Sequence, residues 1–206
     1  MGTRRLVVGL GAALALASVW VVGAANATVM EEASLEELIL EADAIVEGRV
    51  EQNRVQMHLE GGAFVPHTLT TVKVSRWFKG NRVEDRLTIH EIGGVHQTGG
   101  MWIDGTPRYA VGEEVVVFLR RDPAYPNDYR THGMVQGKFV LTRGLPGVPD
   151  VVHRDTESIA FARWTENGMT LEHGYQEPAA AYEVFSSYVE HILALGSTSN
   201  DRGDDR

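Results

Sequence analysis

Apolar residues alternate with polar ones over most of the first 140 positions, and they recur at helical spacing in two places only. Val46, Gly48 and Val50 point one way and Glu47 and Arg49 the other, which predicts a strand over 44–50. Gly48 inside that strand predicts a bulge or tight bend. Val55, Met57 and Leu59 continue the alternation, as the same strand resuming or a second one, and Gly61-Gly62 reads as a turn. Further strands are expected over 68–77 and 86–92, with a turn at 79–81 between them. Gly93 to Gly100 is a glycine-rich loop, followed by a short strand over 101–103. Val115 to Leu119 is continuously apolar, as in a strand buried on both faces, and 123–127 is a loop. The last clear strand is expected over 135–141.

The helical spacings lie at the two ends of this β-rich stretch. Ser34 and Glu37 form a capping box, and Leu35, Leu38, Ile39 and Ala42 make one stripe of a short helix ending near Asp43. Pro178 suits the first position of a second helix, with Tyr182, Phe185, Val189, Ile192 and Leu193 as its stripe and Gly196 as its end. Residues 143–150 read as a connector and 151–173 as a hairpin folded back on the strands. The pattern therefore predicts a mainly β fold: an OB-like closed antiparallel barrel with a short N-terminal helix and a C-terminal helix. Residues 28–145 form the barrel domain, 146–196 a C-terminal extension packed on it, and 197–206 a disordered tail.

The N-terminal residues follow neither pattern. Arg4 and Arg5 precede a nearly unbroken apolar run from Leu6 to Ala24, and Ala25-Asn26-Ala27 is a small-x-small cleavage triplet. Residues 1–27 thus read as a Sec signal peptide, with export to the periplasm or the extracellular space. A retained membrane anchor is the alternative. Thr3-Arg4-Arg5-Leu6-Val7 is a poor twin-arginine motif, and no cysteine follows the run to carry a lipid.

Composition changes this picture in two ways. The chain has no cysteine, so an exported domain must be held by its core rather than by disulfides. Its formal charge of −9 becomes −11 once Arg4 and Arg5 are removed, which argues against nucleic acid and anionic membrane surfaces as partners.

The succession of a short helix, Ala42-Asp43-Ala44-Ile45-Val46, a long strand, Trp77-Phe78-Lys79-Gly80, a glycine-rich loop, Tyr109 and the run from Gly112 through Leu119 resembles a known skeleton. It is similar to the OB-fold of the netrin-like module and of the tissue inhibitors of metalloproteinases. It resembles more closely a set of uncharacterised exported bacterial proteins with a glycine-rich central loop. The likeness covers about half of the chain. It implies a fold and a binding-module style. The inhibitors chelate zinc through an N-terminal cysteine, whereas this mature chain would begin at Thr28, so that mechanism does not carry over.

Candidate chemistry is sparse. His90, Glu91 and His96 offer metal-ligand atoms close in sequence. In an extended strand His90 and Glu91 face opposite ways, so only one of them joins His96. No metal ligand is assigned on this basis; His90 and His96 are the candidates of an alternative reading. His153 and His173 flank the hairpin segment, with no spacing that demands convergence. Ser75, Ser158 and Ser186 lack a nucleophile-elbow context. Glu113 and Glu114 are adjacent and diverge in a strand. Gly93-Gly94 and Gly99-Gly100 lack the lysine and helix of a phosphate loop.

The glycine-rich loop is therefore the expected ligand-binding region, through Val95, His96, Met101 and Trp102. The competing role for Trp102 is to plug one barrel end. Trp77 and Phe78 read as core, and Trp164 as packing for the hairpin. The chain is expected to be an exported, non-catalytic binding module for a protein, peptide or glycan, with no cofactor. The alternatives are a metal-binding protein or metal-dependent hydrolase using His90 and His96, and a structural component of the envelope or matrix.

Overall fold

The computed structural model describes residues 28–80, 83–97, 99–157, 159–166, 168–173 and 176–200. The expected signal peptide over 1–27 lies outside them, as does the end of the expected tail, 201–206. The elements run β1 (Thr28–Glu31), α1 (Leu35–Glu41), β2 (Ala44–Glu60), β3 (Ala63–Lys79), β4 (Arg86–Ile92), β5 (Gly94–His96), β6 (Gly99–Met101) and β7 (Glu114–Arg121). They continue as β8 (Tyr129–Thr131), a 3-10 turn (Met134–Gly137), β9 (Lys138–Thr142), β10 (Val151–His153), β11 (Ile159–Thr165), β12 (Gly168–His173), β13 (Ala180–Ala181) and α2 (Tyr182–Asn200). The fold is mainly β.

The largest sheet has eight strands in the order β13-β10-β9-β7-β2-β3-β4-β8, and β8 pairs with β7 as well as with β4. At its centre β2 and β3 form one long antiparallel hairpin, seventeen residues on each side. The Gly61-Gly62 turn takes φ +56° and +86°, the doubly left-handed geometry that a two-residue hairpin loop needs. The expected irregularity at Gly48 is present as a register shift between Glu47 and Gly48. β1 pairs in parallel with β11, which pairs with β12, and β5 pairs with β6.

Two apolar clusters form on opposite faces of β7. Val115, Val117 and Leu119 join Ala44, Val46, Val50, Val72, Leu87, Ile89 and Tyr129. Val116 and Phe118 join Leu38 and Ile39 of α1, Phe139 of β9, and Phe185 and Val189 of α2. The continuous apolar run of β7 is thereby buried on both faces, each large side chain adding about 1.5–3 kcal/mol. The capping box of α1 is formed: Glu37 N donates to Ser34 Oγ, and Ser34 N donates to Glu37 Oε2.

Several expected boundaries shift for identifiable reasons. Pro178 does not open α2. Ala180 and Ala181 instead pair with β10, and Tyr182 N donates to Asp150 O, so the helix starts at Tyr182. Gly196 does not end it. A Cβ at Gly196 would stand 3.2 Å from Leu40 Cδ2, so the small residue lets α2 pass close to α1, and the helix runs on to Asn200. Residues 135–137 form the 3-10 turn rather than strand, and β9 starts only at Lys138. The glycine-rich loop is itself the β5–β6 hairpin. Residues 151–173 form β10 and the β11–β12 hairpin.

Candidate metal centre

The β2–β3 and β3–β4 registers bring three histidines onto one face of the sheet. His58 on β2 lies opposite Val65, His67 on β3 opposite Gln56, and His90 on β4 opposite Leu69. His67 is therefore a diagonal neighbour of both others. Thr70, Val72, Leu87 and Ile89, with the other parity, lie on the far side, where the last three join the apolar cluster of Val115, Val117 and Leu119. The three rings stand 4.4, 4.9 and 5.4 Å apart, centroid to centroid. One ligand nitrogen from each ring lies within 4.8 Å of the other two.

A loop between β7 and β8 accompanies this face. Asp122, fully buried, accepts from the amides of Ala124 (2.8 Å) and Tyr125 (3.3 Å) and from Arg130 Nε (2.6 Å). Asp122 N donates to Asp128 O, and Asp128 N to Tyr125 O, which fixes the loop at both ends. Burial alone would push the Asp122 carboxyl up. The Arg130 guanidinium and the two amides outweigh it and hold the group below its ordinary value. Tyr125 is carried onto the histidines, its ring 4.1 Å from that of His90. His67 and His90 are left 0% and 1% exposed.

The hydrogen-bond count of this cluster does not close with neutral rings. His67 Nδ1 and His90 Nε2 are 2.8 Å apart, so one of them carries the shared proton. The outer nitrogen of His67, Nε2, lies 3.0 Å from Glu60 Oε1. The outer nitrogen of His90, Nδ1, lies 3.5 Å from Asp128 Oδ2 and 4.0 Å from Asp122 Oδ2. A neutral imidazole has one N–H. Whichever ring donates across the shared contact therefore turns a lone pair towards a carboxylate. His58 Nδ1 meets Tyr125 Oη at 2.7 Å, and its Nε2 is buried without a partner.

A cation at the shared edge removes the mismatch. It can be a proton or a metal ion. Burial opposes the proton: it pushes His90 down to about 4, with the neighbouring His67 adding to the effect, and it also lowers His67. A metal ion suits the arrangement better. His67 Nδ1, His90 Nε2 and His58 Nε2 would face it, and the outer N–H groups would point to Glu60, Asp128 and Tyr125, the oxygen-backed form that metal-bound histidines usually take. Zinc bound at 2.0–2.1 Å in tetrahedral geometry needs its nitrogens about 3.4 Å apart, so His67 and His90, now 2.8 Å apart, would part by about 0.6 Å.

Of the two histidines the sequence singled out, His90 belongs to this cluster and His96 does not; His96 lies on β5. Glu91 does face away from His90, as expected, and accepts from Thr131 N at 2.8 Å. There burial pushes its carboxyl up to about 7, against the pull of that amide. His153 is partly buried on β10, and the side chain of His173 lies outside the described residues, as does that of Trp164. In the glycine-rich loop, Val95 is 63% exposed and Trp102 is 49% exposed, stacked under the Arg108 guanidinium rather than plugging the interior. Met101 borders a groove with Met57 and Phe64. Phe78 belongs to the cluster of Phe118, Phe139 and Phe185, and Trp77 is partly buried against the other cluster, that of Val115, Val117 and Leu119.

His58 and His67 were not picked out from the sequence. Their signal lay in the Gly61-Gly62 turn, which pairs Glu60 with Ala63 and so places His58 and His67 on one face once both strands are carried through the turn. Comparison with models of known protein families finds no match, and comparison with curated proteins finds none either.

Proposed function

We infer that this chain is a metal-binding protein that holds one borderline divalent ion, of the zinc or copper type, on His58, His67 and His90. Three imidazoles without a thiolate suit those ions. The observation that carries the reading is the orientation of the rings: each offers one nitrogen to a common centre, and each has an oxygen of Glu60, Asp128 or Tyr125 beside the other. The burial of His67 and His90 favours holding an ion over presenting it to a substrate. The role is thus non-catalytic, in carriage, sequestration or local stabilisation.

The scaffold proposed for this site is the OB-like barrel of the netrin-like kind. Its support is the return of β8 to β7, which links β7, β2, β3, β4 and β8 in sequence around the apolar cluster that holds Val115, Val117 and Leu119. Export through residues 1–27 is proposed on the leader pattern alone. Among the described residues no helix is long and apolar enough to cross a membrane.

The test is metal analysis of the purified protein after loading with Zn²⁺ or Cu²⁺ and desalting. One ion per chain is expected, and none in a His58→Leu/His67→Leu double variant that still folds. A desalted protein that retains no ion would end the proposal.

A further inference from the structure

The opposite face of the same strands carries a second built site, distinct from the histidines. Gly93 N donates to Pro66 O, and Thr68 Oγ1 donates to Gly93 O, which ties the start of β5 onto β3. A Cβ at Gly94 would stand 2.6 Å from Thr68 Oγ1 and 3.0 Å from Val55 Cγ2, so glycine alone lets the β5–β6 hairpin come this close. Between hairpin and sheet lies a cavity of about 240 Å³, whose lining includes Val55, Thr70, Glu91, Val95, Trp102 and Tyr109.

Its polar groups are few and specific. Thr70 is 1% exposed, and its hydroxyl is buried with no hydrogen-bond partner. Glu91 supplies the acid, with one oxygen engaged by Thr131 N. Asn53 is already committed to Tyr109 O. The exposed Arg108 places its guanidinium carbon over the Trp102 ring, 4.1 Å from the centroid, so its charge sits at the rim. An apolar pocket with a few convergent polar atoms is the usual form of a small-molecule site.

We propose that this pocket binds a small aromatic amine, its ring between Val55 and Trp102 and its ammonium group hydrogen-bonded to Glu91 and the Thr70 hydroxyl. The acid selects a donor head group, and the orphaned hydroxyl gains the partner it lacks. Four of its lining positions, Gly93, Gly94, Val95 and Trp102, come from the loop that the sequence marks as the ligand-binding region.

The test is calorimetric titration of the full chain with 2-phenylethylamine, with ethylbenzene and 3-phenylpropanoate as controls. Saturable binding of the amine is expected with a Kd on the order of 1 mM or tighter. The two controls, which lack the donor or reverse the charge, should bind at least about tenfold more weakly. Thr70→Val keeps the shape of the side chain and should weaken the amine about tenfold, and Trp102→Ala, at a half-exposed position, should weaken it as well. Absence of saturable amine binding would overturn the proposal. So would equal binding of either control, or unchanged affinity in both variants.

Discussion

Replacing His67 by leucine separates metal binding from folding. His67 is fully buried, 2.8 Å from His90 and 3.0 Å from Glu60. The substitution loses one hydrogen bond, worth about 1 kcal/mol net. It also removes a lone pair set against a carboxylate and buries apolar surface instead, which acts in the opposite direction. The metal-free variant should therefore stay within about 1 kcal/mol of the parent, or about 2–4 °C in Tm for a chain of this size. Metal acts on the parent alone. At a hundred times Kd it adds about 2.7 kcal/mol, which raises Tm by about 5–11 °C. The assay is thermal melting by circular dichroism with chelator and with Zn²⁺. A shift of that size in the parent and none in His67→Leu is the expected result. An undiminished shift in the variant would refute the ligand assignment. A drop of more than about 10 °C in the metal-free variant would refute the tautomer count, because the histidines would then be a satisfied core.

Tyr125→Phe removes the oxygen behind His58 and should weaken metal binding about 10–100-fold while leaving the stoichiometry at one, read by competition with a chromogenic chelator. Protons compete with the ion for the same nitrogens. Because burial holds His90 down at about 4, metal should stay bound near pH 6 and leave as the pH falls towards 4, measured by equilibrium dialysis; release centred above 6.5 would contradict this. Glu91 behaves in the opposite sense. Its folded pKa of about 7 lies above the ordinary value of 4.5, so the folded chain holds this proton more tightly and loses stability as the pH rises between those values. Glu91→Gln should thus stabilise by up to about 3 kcal/mol at pH 8 and hardly at all at pH 4, measured by urea unfolding at both. Phe185→Ala, at a buried ring 4.8 Å from Phe139, should lower stability by about 3–5 kcal/mol with the urea slope unchanged.

Local chemistry made much of the framework legible. The capping box of α1, the Gly61-Gly62 turn, the strand over 86–92 and the two-sided burial of Val115 to Leu119 all follow from neighbours in sequence. What failed was set by distant partners. Pro66 cannot donate to a ladder and so hides the start of β3, yet its carbonyl accepts from Gly93, and the strand continues through it. That concealment removed His67 from view. His90 was visible as a residue, but its neighbours depended on the β3–β4 register, which no short turn specifies. Thr131 and Tyr129 occupy a three-residue strand held by both β4 and β7, too short to show a period. The loop carrying Tyr125 was expected as a loop. Its role depends on Asp122 and Arg130, which stand eight residues apart, one just after β7 and the other within β8.

The most direct measurement of the central claim is X-ray absorption spectroscopy of the zinc-loaded protein. Three imidazole nitrogens at about 2.0–2.1 Å are predicted, falling to two in the His58→Leu variant, whose weakened site is filled by excess Zn²⁺. A first shell of oxygen atoms alone, or a spectrum indifferent to His58, would contradict it.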